Sequence, residues 1–259
     1  MQLSGRTVFI TGASSGIGAA CARAFADQGA RLLLAARRVE RIEAEVPDLK
    51  RRGAADVRAE RLDVRDAEAV SRLVDSLTGP WREIEVLIDN AGLSRGLDKL
   101  QDGSLEDWNE MIDTNVKGVL HVDRAVVPLM VARGRGTVVH LGSIAGRQTY
   151  PGGNVYCASK HAVRALTDAL RLDLLGTGVR VATVDPGLVA DTEFSAVRFH
   201  GDGARAKAVY RGLTPLGPDD VAEAVLWVAT RPERVVVSDL VLLPLDQASA
   251  NHVHRRSES

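Results

Sequence analysis

Short, apolar, β-branched runs alternate with helical segments along nearly the whole chain, and this alternation constrains the fold more than any other feature. Residues 7–11, 31–36, 57–62, 86–88, 136–141 and 179–184 read as strands, and 239–243 as a last short one. Helical segments fall between them, at 19–26, 37–52, 67–77, 104–132, 154–175 and 218–229. Gly29 stops the first, while Gly176 and Gly178 stop the fifth. Pro47 lies inside the second, where it threatens a break. The strands are apolar at consecutive positions, as strands covered on both faces are. The pattern predicts an α/β fold, a parallel sheet with helices on both faces. A chain of 259 residues suits one such domain, placed at 1–250, with a polar tail at 251–259 expected to fray. Residues 191–217 carry no clear strand or helix signal and follow a strand end, which is where a substrate lid can lie.

Composition narrows the function classes. A net charge of −1 and 4% aromatic residues give no footprint for nucleic acid or for an anionic membrane. No apolar stretch reaches the ~20 residues of a membrane helix. Cys21 and Cys157 both fall in helical segments, so a reducing compartment fits better than a disulfide framework. The six histidines are scattered without metal-ligand spacing, and no metal is expected. Residues 1–6 lack the features of a leader, and the expectation is a cytoplasmic protein.

Thr11-Gly12-Ala13-Ser14-Ser15-Gly16-Ile17-Gly18 joins the first strand to the first helix. Glycines there permit a tight turn and close approach of backbone to a phosphate, and the helix start offers free N–H groups. A strand before and a helix after supply the context that a dinucleotide-binding turn requires. An acidic residue at the end of the second strand would bind the ribose hydroxyls of NAD. This chain has Ala35-Ala36-Arg37-Arg38 instead. Two guanidinium groups suit the 2′-phosphate of NADP, although they also suit the exposed first turn of a charged helix.

Tyr156 and Lys160 stand at i and i+4 on one helix face. An ammonium beside a tyrosine lowers its pKa by stabilising phenolate, so the pair can exchange a proton with an alcohol or carbonyl oxygen. The spacing alone is weak evidence. Ser143, just past the strand that ends at Leu141, offers a hydroxyl for the same oxygen. Asp89-Asn90-Ala91-Gly92 ends another strand on the same sheet edge. Asn115 is a poor helix former inside a long helix, and it makes sense there if its side chain or backbone organises a water near Lys160.

Taken together these motifs resemble the classical short-chain dehydrogenase/reductase family, over essentially the whole length and in family order. The resemblance implies a Rossmann-type doubly wound sheet and a catalytic tetrad of Asn115, Ser143, Tyr156 and Lys160. It also implies that Gly12, Ser14, Ser15, Gly16, Ile17 and Gly18 hold the cofactor with Arg37 and Arg38. Asp63 and Val64 would lie beside the adenine, Asn90, Ala91 and Gly92 would line the cleft, and Pro186, Gly187, Val189 and Thr192 would run past the nicotinamide, with Tyr156 and Lys160 touching it. Asp89 departs from the family pattern, which often has asparagine there, and puts local stability in question. Family members commonly form homotetramers through their long helices.

A closer likeness is to the NADP-dependent 3-hydroxy acid dehydrogenases of this family, also described as serine or allo-threonine dehydrogenases. It rests on Glu106-Asp107-Trp108, Gly152-Gly153-Asn154-Val155-Tyr156, Thr192-Glu193-Phe194-Ser195 and Val197-Arg198-Phe199. It implies NADP(H) and a small 3-hydroxy acid such as serine, allo-threonine or 3-hydroxypropanoate, oxidised at the hydroxyl, or a semialdehyde reduced. Such a substrate would meet Ser143 and Tyr156 and needs a cation for its carboxylate. Arg198, between Phe194 and Phe199, is the first candidate and Arg147 the second. Residues 147–150 depart from that subgroup in a segment that can face substrate. The same chemistry on another alcohol, ketone or aldehyde, or an NADP-binding regulator without catalysis, stays open, although a regulator needs none of Ser143, Tyr156 and Lys160.

Overall fold

Seven strands form one parallel sheet in the order β3-β2-β1-β4-β5-β6-β7 in a computed structural model that describes residues 2–256. They are β1 (Thr7–Thr11), β2 (Arg31–Ala36), β3 (Asp56–Arg61), β4 (Ile84–Asp89), β5 (Gly136–Leu141), β6 (Val179–Pro186) and β7 (Asp239–Leu242). Side chains of a strand point alternately to the two faces. In β1, Val8 and Ile10 therefore enter one core and Phe9 the other. Both faces are covered, which is why the strands read as unbroken apolar runs.

The first core is closed by α1 (Gly16–Ala26), α2 (Val39–Arg52) and α9 (Pro218–Ala229) through Cys21, Phe25, Ile42, Val221 and Val225. The second is closed by α3 (Ala67–Asp75) and by α5 (Gly118–Arg133), whose Val122, Val126 and Met130 form one stripe at helical spacing. Cys21 and Cys157 are buried free thiols.

Pro47 does not break α2. The proline removes the hydrogen bond to the carbonyl of Glu43, and both residues are exposed, so water can serve that carbonyl. The single long helix expected over 104–132 is in fact three pieces. Ser104 caps α4 (Leu105–Ile112) by accepting a hydrogen bond from the Asp107 amide, a π-turn follows over Asp113–Lys117, and α5 continues. Residues 191–217 contain two short helices, α7 (Phe194–Arg198) and α8 (Gly203–Ala208), after Asp191 takes a left-handed conformation at φ 54.

The tail departs from expectation as far as Arg256, and 257–259 lie outside the described residues. Residues 251–256 run back across the molecule. Arg256 N donates to Gly212 O at 2.7 Å, and Arg255 donates to the carbonyls of Arg211 and Val209 at 2.5 and 3.0 Å. Asn251 donates to Thr149 O at 2.8 Å. The chain's end thus straps residues 209–214 to the segment ahead of Tyr156. No helix among the described residues is long and apolar enough to cross a membrane.

Strand order reverses between β1 and β4, which both pair with parallel neighbours and send their next connections to opposite sides. At such a switch point the carboxyl ends of the strands leave a crevice. The ends of β1, β4, β5 and β6 place Thr11, Asp89, Leu141 and Pro186 around it.

Candidate active site

A cleft of about 430 Å³ opens at the switch point. Its lining includes Gly12, Ser14, Ser15, Gly16, Ile17, Arg37, Arg38, Asp63, Val64, Asn90, Ala91, Gly92, Pro186, Gly187, Val189 and Thr192, together with Ser143, Tyr156, Lys160 and Arg198. Three expected residues lie off the lining: Gly18, Asn115 and Arg147.

Gly18 works one layer below. A Cβ there would fall 2.4 Å from Gly12 O and 2.5 Å from Asn90 Nδ2, so only glycine lets α1 seat against the turn. Asn90 Nδ2 donates to Thr11 O at 2.9 Å and Gly12 O at 3.2 Å, fastening the glycine turn to the end of β4. Thr11 Oγ1 accepts from the amides of Asn90 and Ala91, both at 3.1 Å. The turn thus stands as a backbone cradle with the start of α1 facing into it.

Arg37 and Arg38 are half-exposed at the far end of the cleft, and each has a carboxylate near it. Glu110 lies 3.8 Å from Arg37. Glu193 bridges Arg38 and Arg41, at 2.6 Å from the latter. Asp63 is bound by Arg65 at 2.6 Å, which holds its carboxyl below the usual range.

The π-turn holds Asn115. Its Oδ1 accepts from Leu93 N at 2.9 Å, and its Nδ2 donates to Leu93 O at 2.8 Å and Ser159 Oγ at 3.0 Å. The side chain is therefore spent on fixing the segment after Gly92 against α6 (Asn154–Asp173), and of the two routes to a water only the backbone one remains. Gly92 sits between the two functional groups: a Cβ there would lie 3.2 Å from Asn115 Oδ1 and 3.7 Å from Lys160 Nζ.

Lys160 is buried and donates to Leu141 O at 2.7 Å. Burial pulls its pKa down to about 8, against a smaller opposing pull from Asp185. Tyr156 is buried too, and burial pushes its phenol above the usual value. Arg198 and Ser143 pull the other way, and Lys160 is absent from the groups that do. The Lys160 ammonium turns to Leu141 O, and burial is the larger influence on the phenol. Ser143 Oγ accepts from Ala145 N at 3.1 Å and donates to Pro186 O at 3.5 Å, and Ser143 and Tyr156 both line the cleft.

The two candidate arginines separate cleanly. Arg147 turns away from the cleft, donating to Asp185 at 2.6 Å and pairing with Asp239. It ties the end of β6 to the start of β7, a structural role in place of the expected substrate one. Arg198 is 8% exposed and lies in the cleft wall. Its Nε donates to Ser94 Oγ and its Nη2 to Tyr150 OH, both at 3.0 Å. The guanidinium carbon is 5.3 Å from the Tyr156 ring centroid and 4.9 Å from that of Phe194. Among the described residues no carboxylate pairs with it. Sequence reasoning passed over Ser94, Tyr150 and Phe194 as its holders, and over Arg41 and Glu193. The departure noted at residues 147–150 was the only signal, and Tyr150 is where it leads.

Asp89 is buried beneath Asn90 with Asp123 and His140. His140 Nε2 is 3.1 Å from Asp123 and 3.9 Å from Asp89 Oδ2, which has no hydrogen-bond partner. Thr167 donates to Val163 O at 2.7 Å, so at 2.8 Å it accepts from His140 Nδ1. Burial, reinforced by Asp123, pushes the Asp89 carboxyl well above its usual range.

Residues 6–202 match the short chain dehydrogenase family. The chain is 44% identical over 256 residues to an NADP-dependent 3-hydroxy acid dehydrogenase of Schizosaccharomyces pombe, covering 98% of each chain. It is 47% identical over 242 residues to sulfoacetaldehyde reductase 2 of Chromohalobacter salexigens, covering 93% of this chain and 95% of the other. Among solved structures it is similar to the closed form of serine dehydrogenase complexed with NADP+, with a TM-score of 0.91 and 42% identity over 96% of this chain and 100% of that one.

Proposed function

The chain belongs to the short-chain dehydrogenase family, and on that premise we propose that it is an NADP-dependent oxidoreductase acting on a small 3-hydroxy acid or the matching semialdehyde. The observation that carries the substrate class is Arg198. A buried guanidinium without an anion is costly, and the cost falls when a carboxylate enters beside it. Its place against the ring of Tyr156 would hold a short acid with the reacting carbon near Ser143 and Tyr156. Serine, allo-threonine and 3-hydroxypropanoate have the required length.

The cleft fits the dinucleotide on its own features. The glycine turn presents backbone amides at the start of α1, where a pyrophosphate binds, and a Cβ at Gly12 would strike Ala91 at 2.9 Å. Arg38, with Arg37, is assigned to the 2′-phosphate, Asp63 and Val64 to the adenine, and Asn90–Gly92 and Pro186–Thr192 to the nicotinamide end. NADP supplies the hydride site. The chain's own part is to hold the oxygen between Ser143 and Tyr156 and move its proton. Tyr156 carries a proton in the free enzyme, so it is a ready donor to a carbonyl oxygen. Lys160, with its pKa near 8, can take up and release a proton at neutral pH and serve as the relay behind it.

The apolar residues Trp227, Val236, Val241 and Leu245 are exposed around α9 and β7, which supports assembly into a homotetramer through that edge. A cytoplasmic setting fits two free buried thiols. The test is turnover of short 3-hydroxy acids, their methyl esters, neutral alcohols and sulfoacetaldehyde, each with NADP(H) and NAD(H). The proposal expects the acids to lead the esters with NADP. Equal turnover of acids and neutral alcohols, or preference for the sulfonate, would replace it.

A further inference from the structure

Glu193 stands on α7's doorstep in the lid, yet its carboxylate reaches across the cleft to the arginines at the start of α2. It pairs with Arg38, and with Arg41 at 2.6 Å. Arg38 also donates to Ser15 Oγ in the glycine turn at 3.3 Å. Neighbouring Thr192 packs on that same turn, 3.2 Å from where a Gly16 Cβ would lie. The lid is thus clipped to both halves of the adenosine end of the cleft, by contact at Gly16 and by charge at Arg38.

We propose that Glu193 is a built-in stand-in for the 2′-phosphate, occupying Arg38 until NADP displaces it and so setting the selectivity between NADP and NAD. This rests on the assignment of Arg38 to the 2′-phosphate. The chemistry is an anion exchange. A guanidinium fork satisfied by a carboxylate must release part of it to take a phosphate, and two anions beside one cation repel. Arg41, one turn along α2, keeps Glu193 in place when Arg38 is taken. The two arginines hold the Glu193 carboxyl down at about 2, so it is an anion at every pH where the enzyme would be assayed. NAD brings no phosphate and leaves the clip untouched. Glu193 therefore taxes NADP and spares NAD, and only the phosphorylated cofactor loosens the lid at its adenosine end, leaving Arg41 as its single charge contact there.

The experiment measures dissociation constants for NADP, NAD, adenosine 2′,5′-bisphosphate and AMP on the wild type, Glu193→Gln and Arg38→Ala. Glu193→Gln should bind NADP and the bisphosphate about two- to fivefold tighter, the scale of one half-exposed ion pair, with NAD and AMP unchanged. Tryptic cleavage in residues 191–217 should speed up in the wild type with NADP or the bisphosphate and not with NAD. Weaker binding of all four ligands by Glu193→Gln would make Glu193 a plain lid fastener and overturn the inference, as would no change in any. Arg38→Ala separates the two readings. If it fails to weaken NADP and the bisphosphate, the assignment of Arg38 is wrong. If it weakens them while Glu193→Gln does not tighten them, only the role of Glu193 is wrong.

Discussion

Replacing Arg198 by methionine keeps an unbranched side chain of similar reach and removes a buried cleft-wall guanidinium that no carboxylate pairs among the described residues. Arg198 as a residue is 8% exposed, so an ion pair formed with a bound carboxylate would be largely desolvated. Truncating one partner of such a pair costs about 2–5 kcal/mol, which is about 30- to 4,000-fold in kcat/KM. The methyl ester of the same hydroxy acid has no charge to lose, and its kcat/KM should fall less than about tenfold, the scale of a neutral hydrogen bond. Two opposed effects act on stability. Ser94 Oγ and Tyr150 OH lose their partner, which costs about 1–3 kcal/mol, while an uncompensated buried charge is removed. The melting temperature should therefore move little, and a melt rules out an unfolded variant. NADPH formation followed by absorbance at saturating NADP gives both ratios. A parallel fall for acid and ester would refute the reasoning, because it would mean that Arg198 supports Tyr156 and Phe194 through packing and meets no carboxylate.

Tyr156→Phe should lower kcat by about 10²–10⁴-fold and leave NADP binding within about twofold, checked by turnover and titration of the same sample. The pH profile of kcat/KM should break near 8, where Lys160 titrates, and Lys160→Arg should move that break out of range; an unmoved break would assign it elsewhere. For Asp89 the folded-state pKa lies above the unfolded value of 3.8, so its contribution is intact below that value and is lost as pH rises toward the folded pKa. Asp89→Asn removes this loss, and its melting temperature should exceed the wild type's by a margin that widens as pH rises above the unfolded value of 3.8 toward the folded pKa. Deleting residues 251–259 removes the bonds to Val209, Arg211 and Gly212, and should raise KM for the acid and speed amide exchange over 209–214, with NADP affinity little changed.

The parts legible in the sequence are those that local physics decides. Strand β5 and helix α9 run over the predicted residues, because an apolar β-branched run and a proline at a helix start carry their own boundaries. The glycine turn, Ser143, Tyr156 and Lys160 converge because each sits at a strand end or a helix start that the parallel sheet brings to one edge. What escaped was decided at long range. Nothing beside Arg147 in the chain announces Asp185 or Asp239, which take it out of the cleft. Glu193 and Arg38 are far apart in sequence, and their pairing exists only once the lid has folded over. The lid helices are too short to show a period. The polar tail looked like one that frays, because main-chain bonds to Gly212 and Arg211 leave no trace in composition.

The π-turn at Asp113–Lys117 means that the path from α4 to α5 holds one residue more than a regular helix would use. Deleting any one of those five residues would let the ladder close there as a plain α-helix. The bulge absorbs the extra residue, so α5 would keep its direction and face while the local wide turn disappears. Asn115, seated by that wide turn, would lose its bonds to Leu93. The asparagine's place is thus written in chain length as well as in residue identity, and scanning by single-residue deletion would expose it where scanning by substitution would not.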